Sequence, residues 1–221
     1  MATSRASIMD WRTSIPWKTL VQVGVLTFLI TPLNVVLHEL AHMLVLTLGG
    51  LPSSLTALGS MTPIGFQWNF ASLRDAQAHY GAGDAAVVAG ALAGPIFTLA
   101  VGYGGLLAYR RSHDLTFWAI GFSAIGLRPL LNLLFLTPSF FDGTITSSDE
   151  AIAAFFLGWP VWGLWWMLLV GLICLVLLIK ALPRRQRWPL TIAAFVCSII
   201  GFVTIEYLVN TLVFGLESWD R

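Results

Sequence analysis

The chain has 221 residues, 57% hydrophobic and only 10% charged, with a net charge of +1. Soluble domains carry about 25% charged residues, so the composition excludes an ordinary soluble fold and points to helices that face lipid. Near-neutral charge without a basic tract leaves nothing to hold nucleic acid.

Five apolar segments are long enough to cross a bilayer, which takes about 20 residues. They cover 20–48, 85–109, 115–136, 161–182 and 189–216. The expectation is an all-α integral membrane protein with about five transmembrane helices, forming one polytopic domain over 1–221. Arg5 and Arg12 precede the first segment, which is too long for a cleaved signal peptide and reads as retained. Pro32 inside it predicts a kink near Thr31.

Residues 49–83 hold two short alternating stretches, 55–59 and 64–70, with Pro63 and Gly65 between them. This pattern predicts a small β-hairpin after the first helix. Residues 137–159 contain Asp142, Asp149 and Glu150. Ser147 or Ser148 is placed to cap a short helix from Asp149 to Leu157, stopped by Gly158 and Pro160. Trp17, Trp159, Trp162 and Trp188 lie near helix ends, as an interfacial belt requires. Cys174 and Cys197 fall inside apolar runs and read as packing residues.

Positive charge is biased to one side. Arg5, Arg12, Lys18, Arg110, Arg111, Lys180, Arg184, Arg185 and Arg187 share one predicted face, against Arg74 and Arg221 on the other. The positive-inside rule then puts the N-terminus in the cytoplasm, in what reads as a prokaryotic cell membrane.

The first segment carries His38-Glu39-Leu40-Ala41-His42. Histidines four apart share a helix face and can grip one Zn²⁺ from the same side, leaving room for a third ligand and a water. Glu39 is placed as the general base for that water. The plainer alternative, two histidines packed against helix neighbours, leaves three ionisable groups in an apolar run without a partner, which is costly.

These residues resemble the site-2-protease class of intramembrane metalloproteases. Three pieces carry the resemblance: His38–His42 followed by Leu48-Gly49-Gly50; Ala93-Gly94-Pro95-Ile96-Phe97-Thr98; and Asn132 followed by Phe141-Asp142-Gly143. The resemblance implies zinc held by two histidines and an aspartate, and hydrolysis of a peptide bond in a membrane protein substrate within the bilayer. Thr98 stands where that class usually has Asn, and with Asn132 and Arg128 it forms the candidate substrate-positioning set.

Two aspartates compete for the third ligand. Asp142 has the Asp-Gly context of the resemblance, and its plainer reading is a turn residue. Asp149 starts a short apolar helix, where its plainer reading is an acid complementing the helix dipole. A helix end also holds a carboxylate rigidly, which favours Asp149, with Glu150 as its neighbour. Arg128 and Asn132 share a face of the third segment. They are read equally as a polar lining, in which Arg128 steadies a developing oxyanion or pairs with an acidic ligand, and as a buried pair bonding carbonyls of the second segment, one of them freed by Pro129. Gly83, Gly90 and Gly94 form a small-residue stripe, read as helix packing. Two other functions keep the same pattern: a non-proteolytic metal-binding membrane scaffold, and a cation or proton transporter using His38, Glu39, His42 and Glu206.

Overall fold

The computed structural model describes residues 16–57, 60–129, 148–160 and 165–212. Among these, α1 spans Trp17–Leu48, and β1 (Ser53–Ala57) pairs antiparallel with β2 (Ser60–Pro63). Next come α2 (Phe70–Tyr80), α3 (Asp84–Ser112) and α4 (Leu115–Ile125). Then follow α5 (Asp149–Phe156), α6 (Trp165–Ala181) and α7 (Arg184–Leu212). Among the described residues three helices, α1, α3 and α7, are long and apolar enough to cross a membrane. α4 and α6 are shorter apolar helices. Positions 130–136, the remainder of the third expected span, lie outside the described residues.

Glycine contacts define how the helices run. Gly49 meets Ala86, Gly90 meets Leu46, and Gly94 meets His38 and His42, so α3 is antiparallel to α1. Gly102 lies against Ile125, and Gly105 against Phe117 and Gly121, so α4 reverses again. Gly24 faces Cys197 and Gly201 faces Phe28, which makes α7 parallel to α1. Lys18, Arg110, Arg111, Arg184 and Arg185 therefore share one end of the bundle.

The α1–α7 contact shows why small residues are there. Lipid gives apolar side chains no reason to leave it, so close backbone approach must supply the contact. α1 runs unbroken through Pro32, which has no N–H to offer the carbonyl of Phe28 one turn back. A Cβ at Gly201 would overlap that carbonyl oxygen and lie 2.8 Å from Phe28 Cα. The glycine thus lets α7 come close to the α1 backbone at Phe28, whose carbonyl loses its usual partner at Pro32. Beside it, the Thr31 hydroxyl donates to Ser198 Oγ at 2.9 Å.

The buried side chains form two clusters. Leu106, Trp118, Phe122, Ile125 and Leu178 fill the end toward the basic residues, where Trp118 Nε1 donates to the Leu178 carbonyl at 2.9 Å. Leu46, Leu51, Leu73, Val87, Ile152 and Phe156 fill the other, joining α1, the hairpin, α2, α3 and α5.

The hairpin is present, but its second strand is 60–63 rather than 64–70. The ladder closes where the Ile64 amide donates to the Pro52 carbonyl at 2.9 Å, and Gly65 turns the chain away at φ +81°. α2 lies where the sequence reading placed only loop. Asn69 caps it by accepting from the Ser72 amide at 2.9 Å, and Gly81 ends it in the left-handed region. The short helix α5 matches its expectation: Ser148 Oγ accepts from the Ala151 amide, and Gly158 lies at φ +67°. Both cysteines are free.

Candidate metal centre

His38 and His42 lie one turn apart on the face of α1 turned toward α3, and are 8% and 1% exposed. Exposed Leu33, Leu37 and Leu44 occupy the opposite face. Each imidazole is held through Nδ1. His42 Nδ1 donates to the Gly90 carbonyl at 2.7 Å, and His38 Nδ1 lies 2.8 Å from Thr98 Oγ1. With His42 Nδ1 protonated and spent on the Gly90 carbonyl, the lone pair of that ring sits on Nε2, and the Thr98 contact turns His38 Nε2 toward the same point.

Those two Nε2 atoms are 3.0 Å apart. Asp149 Oδ2, delivered by the first residue of α5, lies 3.2 Å from one and 3.3 Å from the other. Three potential ligand atoms thus converge on one point, where a proton on an imidazole or a metal ion among them offsets their repulsion. His38, His42 and Asp149 can hold a metal ion. A tetrahedral ion with bonds of about 2.0–2.1 Å has ligand-to-ligand edges of about 3.3 Å, close to the spacing found. Gly94 leaves the space: a Cβ there would overlap His42 Nε2 and come within 2.6 Å of His38 Nε2.

Oriented second partners are what a metal-binding histidine needs, and here one helix provides both. Thr98, which the resemblance marks for substrate, is engaged with His38. Gly90 and Gly94, read from the sequence as packing alone, supply a ligand-orienting carbonyl and the clearance beside the ligands. Their separation of four, matching the separation of the two histidines, was the available signal.

Arg128 stands beside the cluster. Its Nη2 donates to Glu150 Oε1 at 2.7 Å and lies 3.5 Å from Asp149 Oδ2. The pairing with an acidic ligand, which belongs to the polar-lining reading of Arg128, is present. Glu39 is half-buried on α1, with its charge in electrostatic reach of Asp149, His42 and Arg128. Trp68, between the hairpin and α2, brings its ring to 5.9 Å from that of His42. Arg74 of α2 lies over the Phe156 ring of α5 at 4.4 Å and pairs with Asp84 at the start of α3. The ligand-bearing helix is therefore braced against α2. Asn132 and Asp142 lie outside the described residues.

Comparisons with family models, with curated proteins and with solved structures return no match for the chain.

Proposed function

We propose that the chain is an intramembrane zinc metalloprotease, with about five spans, that hydrolyses a peptide bond of a membrane protein substrate. The observation that carries this reading is the convergence of His38 Nε2, His42 Nε2 and Asp149 Oδ2 next to Glu39, on a helix long and apolar enough to cross a membrane. Two imidazoles and one carboxylate with a position left over are the ligand set of catalytic zinc. Bound there, zinc would polarise a carbonyl and make a water acidic near neutral pH.

The chain's own residues do the rest. Glu39 takes the proton from the attacking water and hands it to the leaving amine. Thr98 and the Gly90 carbonyl keep both Nε2 lone pairs aimed at one point. The substrate must be locally unwound, because a regular helix keeps its carbonyls in its own hydrogen bonds. The basic end of the bundle belongs in the cytoplasm by the positive-inside rule, with the N-terminus there. The site then opens toward the opposite half of a prokaryotic cell membrane.

The test is zinc per chain in detergent-purified protein. About one ion is expected in the wild type and in Asp142→Ala, with loss in His38→Ala and Asp149→Ala. Glu39→Gln is expected to keep the ion and to lose at least about 10²-fold in cleavage of a transmembrane reporter peptide. Folded wild type that takes up no supplied zinc overturns the reading. A protein that binds zinc but cleaves nothing, with or without Glu39, is a metal-binding scaffold instead.

A further inference from the structure

We infer that Arg128 is an anion-binding residue of the metal centre: its Nη2 is anchored on Glu150, and its Nη1 is offered to an anionic oxygen at the ion's open position. The inference rests on the metal reading above.

Nη1 lies 3.5 Å from His38 Nδ1 and 3.4 Å from His38 Nε2. A point almost equally far from both nitrogens cannot lie in the ring plane at that range, because it would overlap Cε1 between them. The guanidinium nitrogen therefore sits over the face of the imidazole. Both contacts are within hydrogen-bond range, so one Nη1 hydrogen rests against the ring and the second remains to donate. His38 keeps Nδ1 for Thr98 and Nε2 for a metal, while the cation rests above both.

Nη2 is fully engaged. Its 2.7 Å bond to Glu150 Oε1 is short for a charged pair, and Glu150 is 4% exposed. Anchoring one nitrogen of a rigid fork fixes where the other points. A residue needed only to neutralise Glu150 has no reason to extend over the ligand imidazole.

Charge balance says what Nη1 awaits. With neutral histidines, the carboxylates of Asp149 and Glu150 and the guanidinium leave one negative charge, and a divalent ion turns this into one positive charge. Once Glu39 has accepted its proton, the surplus matches a single developing negative charge on a carbonyl oxygen. Donors aimed at such an oxygen in a site shielded from water are among the strongest catalytic contributions known. Arg128 can reach that oxygen from the His38 side while Nη2 stays paired with Glu150 and Asp149.

The test uses cobalt(II) in place of zinc, with azide as the anionic probe and the visible spectrum of the metal as readout. Wild type is expected to bind one cobalt and to change its spectrum as azide is added. Arg128→Gln alone would remove the cation beside buried Glu150, so the informative variant is Arg128→Gln with Glu150→Gln. It is expected to keep cobalt and to bind azide roughly 10- to 100-fold more weakly. Cobalt retained with unchanged azide affinity overturns the proposal. Should the double variant lose cobalt, Arg128→Lys decides. Weaker azide binding with cobalt retained supports the role, whereas unchanged azide binding, or loss of cobalt here too, reduces Arg128 to a structural support and overturns it. Wild type that takes up no cobalt overturns the metal reading itself, before any azide is added.

Discussion

Thr98 Oγ1 lies 2.8 Å from His38 Nδ1, so one hydroxyl on α3 determines which nitrogen of that ring faces Asp149. A freely rotating His38 would have to stop in the right orientation each time an ion arrived. Partners of metal-binding histidines typically contribute 10- to 100-fold in affinity. Thr98→Ala is expected to weaken zinc binding by about that factor, and Thr98→Ser to restore it. Competition against a colorimetric chelator reads this directly. Equal affinity in all three proteins would remove Thr98 from the site.

Gly94 makes a sharper prediction because the clash involves the ligand atoms themselves. Its added methyl would overlap His42 Nε2 and approach His38 Nε2 to 2.6 Å. Both rings are pinned through Nδ1, so neither can swing aside without losing its partner. Gly94→Ala is expected to abolish stoichiometric zinc binding while the protein remains monodisperse in detergent. Full zinc occupancy in that variant would place the ion elsewhere.

How far these features were visible in the sequence depends on the range of the interactions that make them. His38, Glu39 and His42 needed only helical spacing and an apolar run to stand out. Ser148, Asp149 and Gly158 needed only capping chemistry, so α5 was legible to within a residue. The hairpin was legible as a hairpin, but its register depends on the Ile64-to-Pro52 contact, which alternation of side chains does not encode. α2 was missed although Asn69 and Gly81 are ordinary cap signals, because its polar surface and mixed composition carry little apolar periodicity. Arg128 stayed open between two roles since its partners come from α5 and α1, remote in sequence. Gly90 and Gly94 looked like packing for the same reason: what a glycine leaves room for is written on another helix.

The α5 cap links local stability to metal binding. Ser148 Oγ accepts from the Ala151 amide at 3.3 Å, one residue before the metal-ligand candidate. Losing such a cap costs about 1 kcal/mol, and fraying the first turn would loosen Asp149 while leaving α1 and α3 untouched. Ser148→Ala is expected to lower zinc affinity several-fold, with Ser148→Asp restoring it, since an acid also caps well. The same chelator competition measures it. No change in Ser148→Ala would mean that Arg128 and the Phe156–Arg74 contact hold α5 without its cap.

The α1–α7 seam tests the membrane reading apart from the metal. A methyl at Gly201 would force the helices apart where Pro32 has left the Phe28 carbonyl without its own partner. That removes close packing and uncovers a polar atom in hydrocarbon, so Gly201→Ala is expected to destabilise by roughly 1–3 kcal/mol. Unfolding by graded addition of a denaturing detergent reads the shift in midpoint. Zinc content of the folded fraction should stay at the wild-type level, because α3 and α5, not α7, orient the ligands. If Pro32→Ala is introduced as well, residue 32 regains an N–H for Phe28, and the double variant should recover part of the loss. Additive destabilisation instead would show that Gly201 serves packing alone and that the uncovered carbonyl carries no cost of its own.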